Sequence, residues 1–297
     1  MILRGEVMIS KILWWALFAY MIIYGLYYGY DLYQHRHEFE KETNFVRCSL
    51  YGFVFLFFDV LGIGSFAPQT SMFRYSREMH DKYIPGTLNV GNAIPTIIQA
   101  LIFIQLVQAD SITLFTMIVA SALGSAIGAD IVSQMSERKI QISMGSALFI
   151  TAFFMFASAI GWLDIGGNAL SLTGLKLIIG IGVNFILGAL MTVGVGLYSP
   201  CMALVSILGM SPTVAFPIMM GSCAFLMPTC GIKFIKENMY NRKAALADTI
   251  FGSIGVLIAA FIVKSLPIDI IRWGVVVVVV YTASQMLRAG LKNTESQ

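Results

Sequence analysis

Long apolar blocks alternate with short polar turns along almost the whole chain, and the length of the blocks predicts the elements. An α-helix needs about 20 residues to cross a bilayer core of about 30 Å. The first apolar run, Ile12 to Tyr30, approaches that length, and a second runs from Cys48 to Ile63. Further spans are predicted near 86–107, 111–133, 140–162, 174–197, 211–232, 245–264 and 269–287, giving nine in all. The predicted fold class is therefore all-α, a polytopic membrane protein of about nine transmembrane helices. Two polar stretches interrupt the pattern: Asp31 to Arg47, rich in Glu and His, and Gln69 to Lys82. The second follows a glycine break directly and is expected to hold a short re-entrant or interfacial segment. The first apolar run is longer than the 7–15 residues of a secretory h-region and closes on Tyr27, Tyr28 and Tyr30, so it is expected to remain as an anchor.

Composition sharpens this picture. Of 297 residues, 58% are hydrophobic and 12% charged, with a mean hydropathy of +0.80. An ordinary soluble domain is roughly a quarter charged, so a soluble globule is excluded. The lipid bilayer is the expected environment, with a multi-pass location in the cell membrane. A net charge of +3, scattered along the chain, excludes the basic stripe of a nucleic-acid binder. Homo-oligomerisation is compatible with the sequence and not dictated by it. Cys48, Cys201, Cys223 and Cys230 form no C-x-x-C pair, so neither a metal cluster nor a disulfide framework is expected. Cys223 and Cys230 share a helix face as small packed residues. Lys and Arg favour cytoplasmic loops, but alternating the faces over nine spans puts nine on the side of the N-terminus and ten on the other. No sidedness follows from that count.

The chain repeats itself. Gly62-Ile-Gly64-Ser-Phe66-Ala-Pro68 recurs as Gly194-Val-Gly196-Leu-Tyr198-Ser-Pro200, at an offset of 132 residues. Gly91-Asn92-Ala93 matches Gly221-Ser222-Cys223 at 130, Gly124 matches Gly255 at 131, and Ile131-Val132 with Met135 matches Ile262-Val263 with Leu266, also at 131. The expected organisation is an N-terminal helix and polar loop, 1–47, then two homologous halves, 48–163 and 174–290. Two such halves meeting at a pseudo-symmetric interface can rock around a central site, which is transporter architecture. Four spans per half make the repeats parallel; one re-entrant segment counted as a span makes them inverted. Both topologies stay open at this point.

The G-x-G-x-x-x-P element lacks the third glycine of a dinucleotide fold and the Gly-Lys-Ser/Thr of a phosphate loop. Inside a span, glycines permit backbone excursions and proline removes an N–H, so the helix breaks and leaves polar groups in need of partners. Packing glycines at helix crossings are the alternative. Broken helices at matching places in two halves point to a substrate site. The candidate substrate-binding residues are therefore Gly62, Gly64, Ser65 and Pro68, with Gly194, Gly196 and Pro200. Asn89 and Asn92 join them: they lie three apart on one helical face, where their amide donors could meet an anion. Ser222 is the repeat counterpart of Asn92. No Lys or Arg falls in the middle of a span, so an anion would be held by half-helix N-termini and neutral donors.

Asp59 sits mid-span, three residues before Gly62, where a carboxylate costs at least about 2.5 kcal/mol on insertion scales. It is the candidate proton-coupling residue; a locally hydrogen-bonded Asp serving helix packing is the other reading. Its repeat counterpart is Met191. Asp130 is expected nearer an interface. His35 and His37 read as members of a solvated loop, since no third metal ligand is placed by spacing. Phe58-Asp59 and Gly128-Ala-Asp130 distantly evoke intramembrane aspartyl proteases, but G-x-G-D and Pro-Ala-Leu elements are missing, and no H-E-x-x-H or nucleophile elbow is present. The chain is expected not to be an enzyme and to need no cofactor. A non-transporting assembly subunit remains the rival to a transporter.

The paired G-x-G elements, each followed by a polar segment and a helix with a small polar cluster (Gly91-Asn92, Gly221-Ser222), resemble the sulfite exporter TauE/SafE family of membrane transporters over about residues 48–290. The family's usual pattern is G-x-G-G-G before an apolar stretch and proline, with Thr-Ser in the next helix. Here Ser65 and Leu197 stand at the third glycine, and Asn92 or Ser222 at the hydroxyl pair. The resemblance implies secondary transport, by export or uptake, of small anions such as sulfite, sulfonates or related organic anions.

Overall fold

A computed structural model describes residues 2–104, 110–162, 167–194, 196–262 and 268–292. The end of the third predicted span (105–107) and the repeat landmarks Val263 and Leu266 lie outside the described residues. Those residues form twelve α-helices and a 3-10 turn, Asp81–Tyr83, with no β-strand among them. The helices are α1 (Ile2–Gln34), α2 (Phe45–Val60), α3 (Phe66–Ser76), α4 (Ile84–Gly91), α5 (Ala93–Phe103), α6 (Ser111–Val132), α7 (Glu137–Ala159), α8 (Gly174–Met191), α9 (Tyr198–Ile207), α10 (Pro212–Lys236), α11 (Arg242–Ile262) and α12 (Ile268–Lys292). Among the described residues, seven helical segments are long and apolar enough to cross a membrane, against the nine spans expected. Large apolar side chains such as Trp15, Leu26, Leu175, Ile178 and Phe261 remain exposed on the helices, as suits a surface facing lipid.

The shortfall begins with α2. Its 16 residues extend only about 24 Å, because the chain leaves the helix at Gly62 and Gly64, with φ of +85° and +84°. Only glycine adopts this region without strain. The polar stretch after it is helical: α3 occupies Phe66–Ser76 and buries Gln69, Thr70 and Ser71. It turns back rather than continuing outward. Beyond the end of α3, Glu78 carries the proof of direction: its carbonyl accepts from Thr43 Oγ1 at 2.9 Å and its carboxylate from Asn44 N at 2.7 Å, both at the start of α2. Thus α2 and α3 form a hairpin with both outer ends on one face. The second half repeats the arrangement. Gly194 (φ +98°) ends α8, α9 returns, and Lys176 Nζ at the start of α8 donates to Leu208 O at the end of α9, 2.9 Å away.

A polar clasp binds the face that α2 enters. The Glu40 carboxylate accepts from the N–H groups of Arg242 and Lys243 at 2.9 and 3.0 Å, capping α11. Arg242 pairs with Asp31 at the end of α1, at 2.9 Å. Tyr240 also donates to Asp31, and burial together with that bond holds its phenol above the usual tyrosine range. Asn241 Nδ2 donates to Thr43 at 2.7 Å. The loop Asp31 to Arg47 is therefore ordered by α10 and α11. His35 bonds the Asp31 carbonyl, and His37 accepts from Arg36.

Glycines set the long crossings between the helices. A Cβ at Gly124 would collide with the Phe185 carbonyl, and one at Gly188 with the Ser121 carbonyl, so α6 and α8 run backbone to backbone. The α2–α11 pair has the same form, with Gly255 on the Phe53 carbonyl and Gly252 on Leu56. Small residues admit such approach where lipid offers no hydrophobic drive to pair helices.

Candidate functional site

The tips of the two hairpins meet inside the molecule. A Cβ on Gly64 would lie 3.9 Å from Tyr198 Cβ, and one on Gly196 lies 3.7 Å from Phe66 Cβ. Both short helices begin at this junction, α3 at Phe66 and α9 at Tyr198, with Pro68 and Pro200 in their first turns. Proline is tolerated there because first-turn N–H groups have no partner within the helix. Two partial positive helix ends therefore converge on one place. A crevice of about 10 Å³ lies between them, lined by Ile63, Gly64, Ala67, Thr151, Met155, Gly196, Tyr198 and Ser199. That is room for about one water.

Asp59 closes the first tip. It is buried, and its Oδ1 accepts from Ser65 N at 2.6 Å across the break between α2 and α3. The side chains of Ser65, Tyr198 and Gln99 lie beside it. This is a carboxylate at a helix N-terminus, among donors, where negative charge is stabilised.

A polar stripe on α4 and α5 faces the first hairpin. Asn89, Asn92, Thr96 and Gln99 recur at three- and four-residue spacing, and all are fully buried. The two asparagines were expected to offer their amides to an anion, and each has an amide N–H engaged in packing. Asn92 Nδ2 donates to Gln69 Oε1 at 2.5 Å and Asn89 Nδ2 to Pro85 O at 2.9 Å. Asn92 closes a break between α4 and α5, where no side chain caps the helix. On α3 and α5, the buried donors without a partner among the described residues are Gln69 Nε2, Gln99 Nε2 and the hydroxyls of Thr70 and Thr96. Gln99 Oε1 meanwhile accepts from Tyr198 Oη at 3.2 Å, linking the stripe to the second tip.

Other expected residues fall elsewhere. Ser222 lies where α10 meets α8, accepting from Asn184 Nδ2 at 3.0 Å. Asp130 is exposed and paired with Lys233 at 2.8 Å, as its expected interfacial position requires. The four cysteines are free and buried. Cys223 Sγ approaches Met191 Sδ at 3.6 Å, and Cys230 donates to Asn89 Oδ1 at 3.2 Å.

Sequence reasoning missed Gln69, Thr70, Thr96, Gln99 and Tyr198. The spacing of Thr96 and Gln99 behind Asn89 and Asn92 was a readable signal; the facing of Gln69 and Thr70 was not, because it depends on α3 turning back. A groove of about 1030 Å³ opens on the clasp face beside the end of α3, lined among others by Ser71, Arg74, Arg77, His80, Tyr281 and Gln285.

Multiple apolar spans around two facing helix breaks, with buried polar side chains on α3 and α5, define a multi-pass membrane protein of transporter type. The chain belongs to the sulfite exporter TauE/SafE family: the family model matches residues 4–155, just over half of the sequence. The match begins within α1, ahead of the residues that carry the resemblance in sequence, and ends within α7. Comparison with curated proteins and with solved structures finds no match.

Proposed function

We propose that this protein is a secondary transporter of small anions such as sulfite, sulfonates or related organic anions, with its site at the hairpin tips. The observation that carries the reading is the convergence of two helix N-termini beside unpartnered buried donors on Gln69, Thr70, Thr96 and Gln99. Oxyanions are bound well by such groups without a cationic side chain. Gly62, Gly64, Ser65, Pro68, Gly194, Gly196 and Pro200 shape the two tips; Asn89, Asn92 and Ser222 hold the surrounding helices in register. The crevice is smaller than any such anion, so binding requires the tips to part. No chemical step and no cofactor enters the cycle. The partners are the anion and the lipid of the cell membrane.

Asp59 gives this site a means of proton coupling. Its carboxylate occupies donors that an incoming anion would use, among them Ser65 N. Protonation removes the competing charge, so proton and anion bind together. Asp59→Asn is expected to abolish transport driven by a pH gradient; full gradient-driven flux in that variant would overturn the role.

Two inverted halves, 48–163 and 174–290, fit the packing best. The α2–α3 hairpin enters from the clasp face and α8–α9 from the opposite face. The crossings Gly124 to Phe185 and Gly188 to Ser121 have counterparts in Gly255 to Phe53 and Gly252 to Leu56, each residue displaced by 131 or 132 positions. In this reading α2 and α8 are re-entrant arms, and the tie in basic residues disappears. Arg4, Lys11, Lys176 and Arg272 fall toward the opposite face, and fourteen others toward the clasp face, while Lys264 lies outside the described residues. The positive-inside rule then makes the clasp face cytoplasmic. A reporter fused after residue 292 should be active only in the cytoplasm; periplasmic or extracellular activity would reject this orientation.

The transport reading is tested by flux of labelled sulfite into proteoliposomes, with sulfonates and small carboxylates as competitors, for the wild type and a Thr96→Val/Gln99→Leu variant. Saturable flux that the folded variant loses supports it. No flux for any anion under either imposed gradient would instead favour a non-transporting assembly subunit.

A further inference from the structure

A second buried aspartate plays no part in the site above. Asp248 is the seventh residue of α11 and fully buried, and neither carboxyl oxygen has a hydrogen-bond partner among the described residues. It sits where three helices touch. A Cβ on Gly52 of α2 would come within 2.8 Å of Asp248 Cα and Oδ1, and one on Gly91 of α4 within 3.0 Å of its Cβ. These glycines leave space for the carboxyl group and little else.

The surroundings offer no compensation for charge. The titratable groups that interact with it are Tyr28 of α1 and Cys48 of α2, neither of them cationic at neutral pH. The α4 and α5 segments contain no ionisable residue. Among the described residues, no Lys, Arg or His pairs with it. An isolated carboxylate is not stable in such a place, whereas a neutral carboxyl is tolerated. Asp59, by contrast, has donors and a helix N-terminus.

We propose that Asp248 is a proton-binding site separate from the anion site: its carboxyl is neutral while α11 packs on α2 and α4, and it releases its proton to water only when that three-helix contact opens. The helices it locks are those that build the site, since α2 ends in Asp59 and α4 leads into the Thr96–Gln99 stripe. Its role in coupling rests on the transporter reading; its role in binding a proton does not.

The test uses the purified full chain. Infrared difference spectra are expected to contain a carboxylic C=O band at neutral pH that is lost in Asp248→Asn. The melting temperature of the wild type should fall as pH rises, while that of the variant falls less. In proteoliposomes, Asp248→Asn should keep anion exchange at equal pH on both sides and lose accumulation driven by a pH gradient. An unchanged carboxylic band in the variant, or parallel melting profiles, would overturn the proposal. So would a rise in melting temperature with Na+ at constant pH that Asp248→Asn abolishes, which would indicate a metal cation in place of the proton. Should Asp248→Asn not fold, Asp248→Ser takes its place in the same spectra. If the wild type moves no anion, the transporter reading fails while the infrared and melting profiles still decide whether Asp248 binds a proton.

Discussion

The two hairpin tips share a backbone plan and differ in chemistry. On the first, Asp59, Ser65, Gln69 and Thr70 surround the break, and the stripe of Asn89, Asn92, Thr96 and Gln99 faces it. At the corresponding places of the second stand Met191, Leu197, Cys201 and Met202, with Met219, Ser222, Leu226 and Thr229 behind them. The second tip contributes a helix N-terminus, the Tyr198 hydroxyl and Ser199, and is otherwise lined mainly by sulfur and hydrocarbon. The difference teaches that helix breaking and ligand recognition are separable. Glycine and proline make a break in either half, and only one half carries the donors. An anion would then bind on the first hairpin, with the second acting as its apolar, dipolar cover.

The comparison can be broken most sharply at the stripe. Gln99→Leu is expected to reduce anion flux by about tenfold to a hundredfold, the worth of about 1.5–3 kcal/mol for one hydrogen bond to a charged group. Thr229→Val, at the matching place, loses a bond to Tyr20 at 2.9 Å and should leave flux near the wild-type level. Equal losses in labelled-anion flux from both variants would erase the asymmetry.

Glycine variants probe the shared backbone next. Gly64 has a φ of +84°, so Gly64→Ala should cost about 1–2 kcal/mol. A Cβ on Gly196 would meet Phe66 at an ordinary 3.7 Å, which leaves room for a methyl group. Gly196→Ala is therefore expected to melt close to the wild type in a thermal scan, well above Gly64→Ala. The opposite order would show that crowding, not torsion, limits the tips.

The pH response should be smaller and confined to the first tip. Apparent affinity for the anion is expected to rise as pH falls, because a proton on Asp59 frees donors that its carboxylate holds. Asp59→Asn should flatten that profile in binding measurements, and Met191→Leu should not change it. Smallest of all, Ser222→Ala removes the acceptor for one Asn184 hydrogen bond, worth about 1 kcal/mol. It should lower the melting temperature slightly without altering substrate competition.

Much of this was legible in the chain. Apolar block lengths predicted a multi-pass helical protein, and the repeated G-x-G-x-x-x-P located both breaks to the residue. Asp59 stood out as a mid-span carboxylate. Asp248 did not, because Arg242 and Lys243 a few positions before it give its surroundings the look of a helix end. The asparagines were conspicuous for the same reason as Asp59, polarity inside an apolar run. Which amide is spent on packing and which is left over depends on a neighbour 23 residues away in the case of Asn92, and on α9 in the case of Gln99.

The sequence by itself determined the solvent of this protein and the places where its helices must break, since hydropathy, glycine and proline are local properties. Only the tertiary structure decided that the segments after the breaks turn back and that the two tips face one another. Hydropathy measures how much apolar surface a segment buries and is indifferent to direction, so an arm that enters and returns looks the same as a span that crosses. The contacts at its far end, such as Glu78 against Thr43 and Asn44, are what distinguish the two.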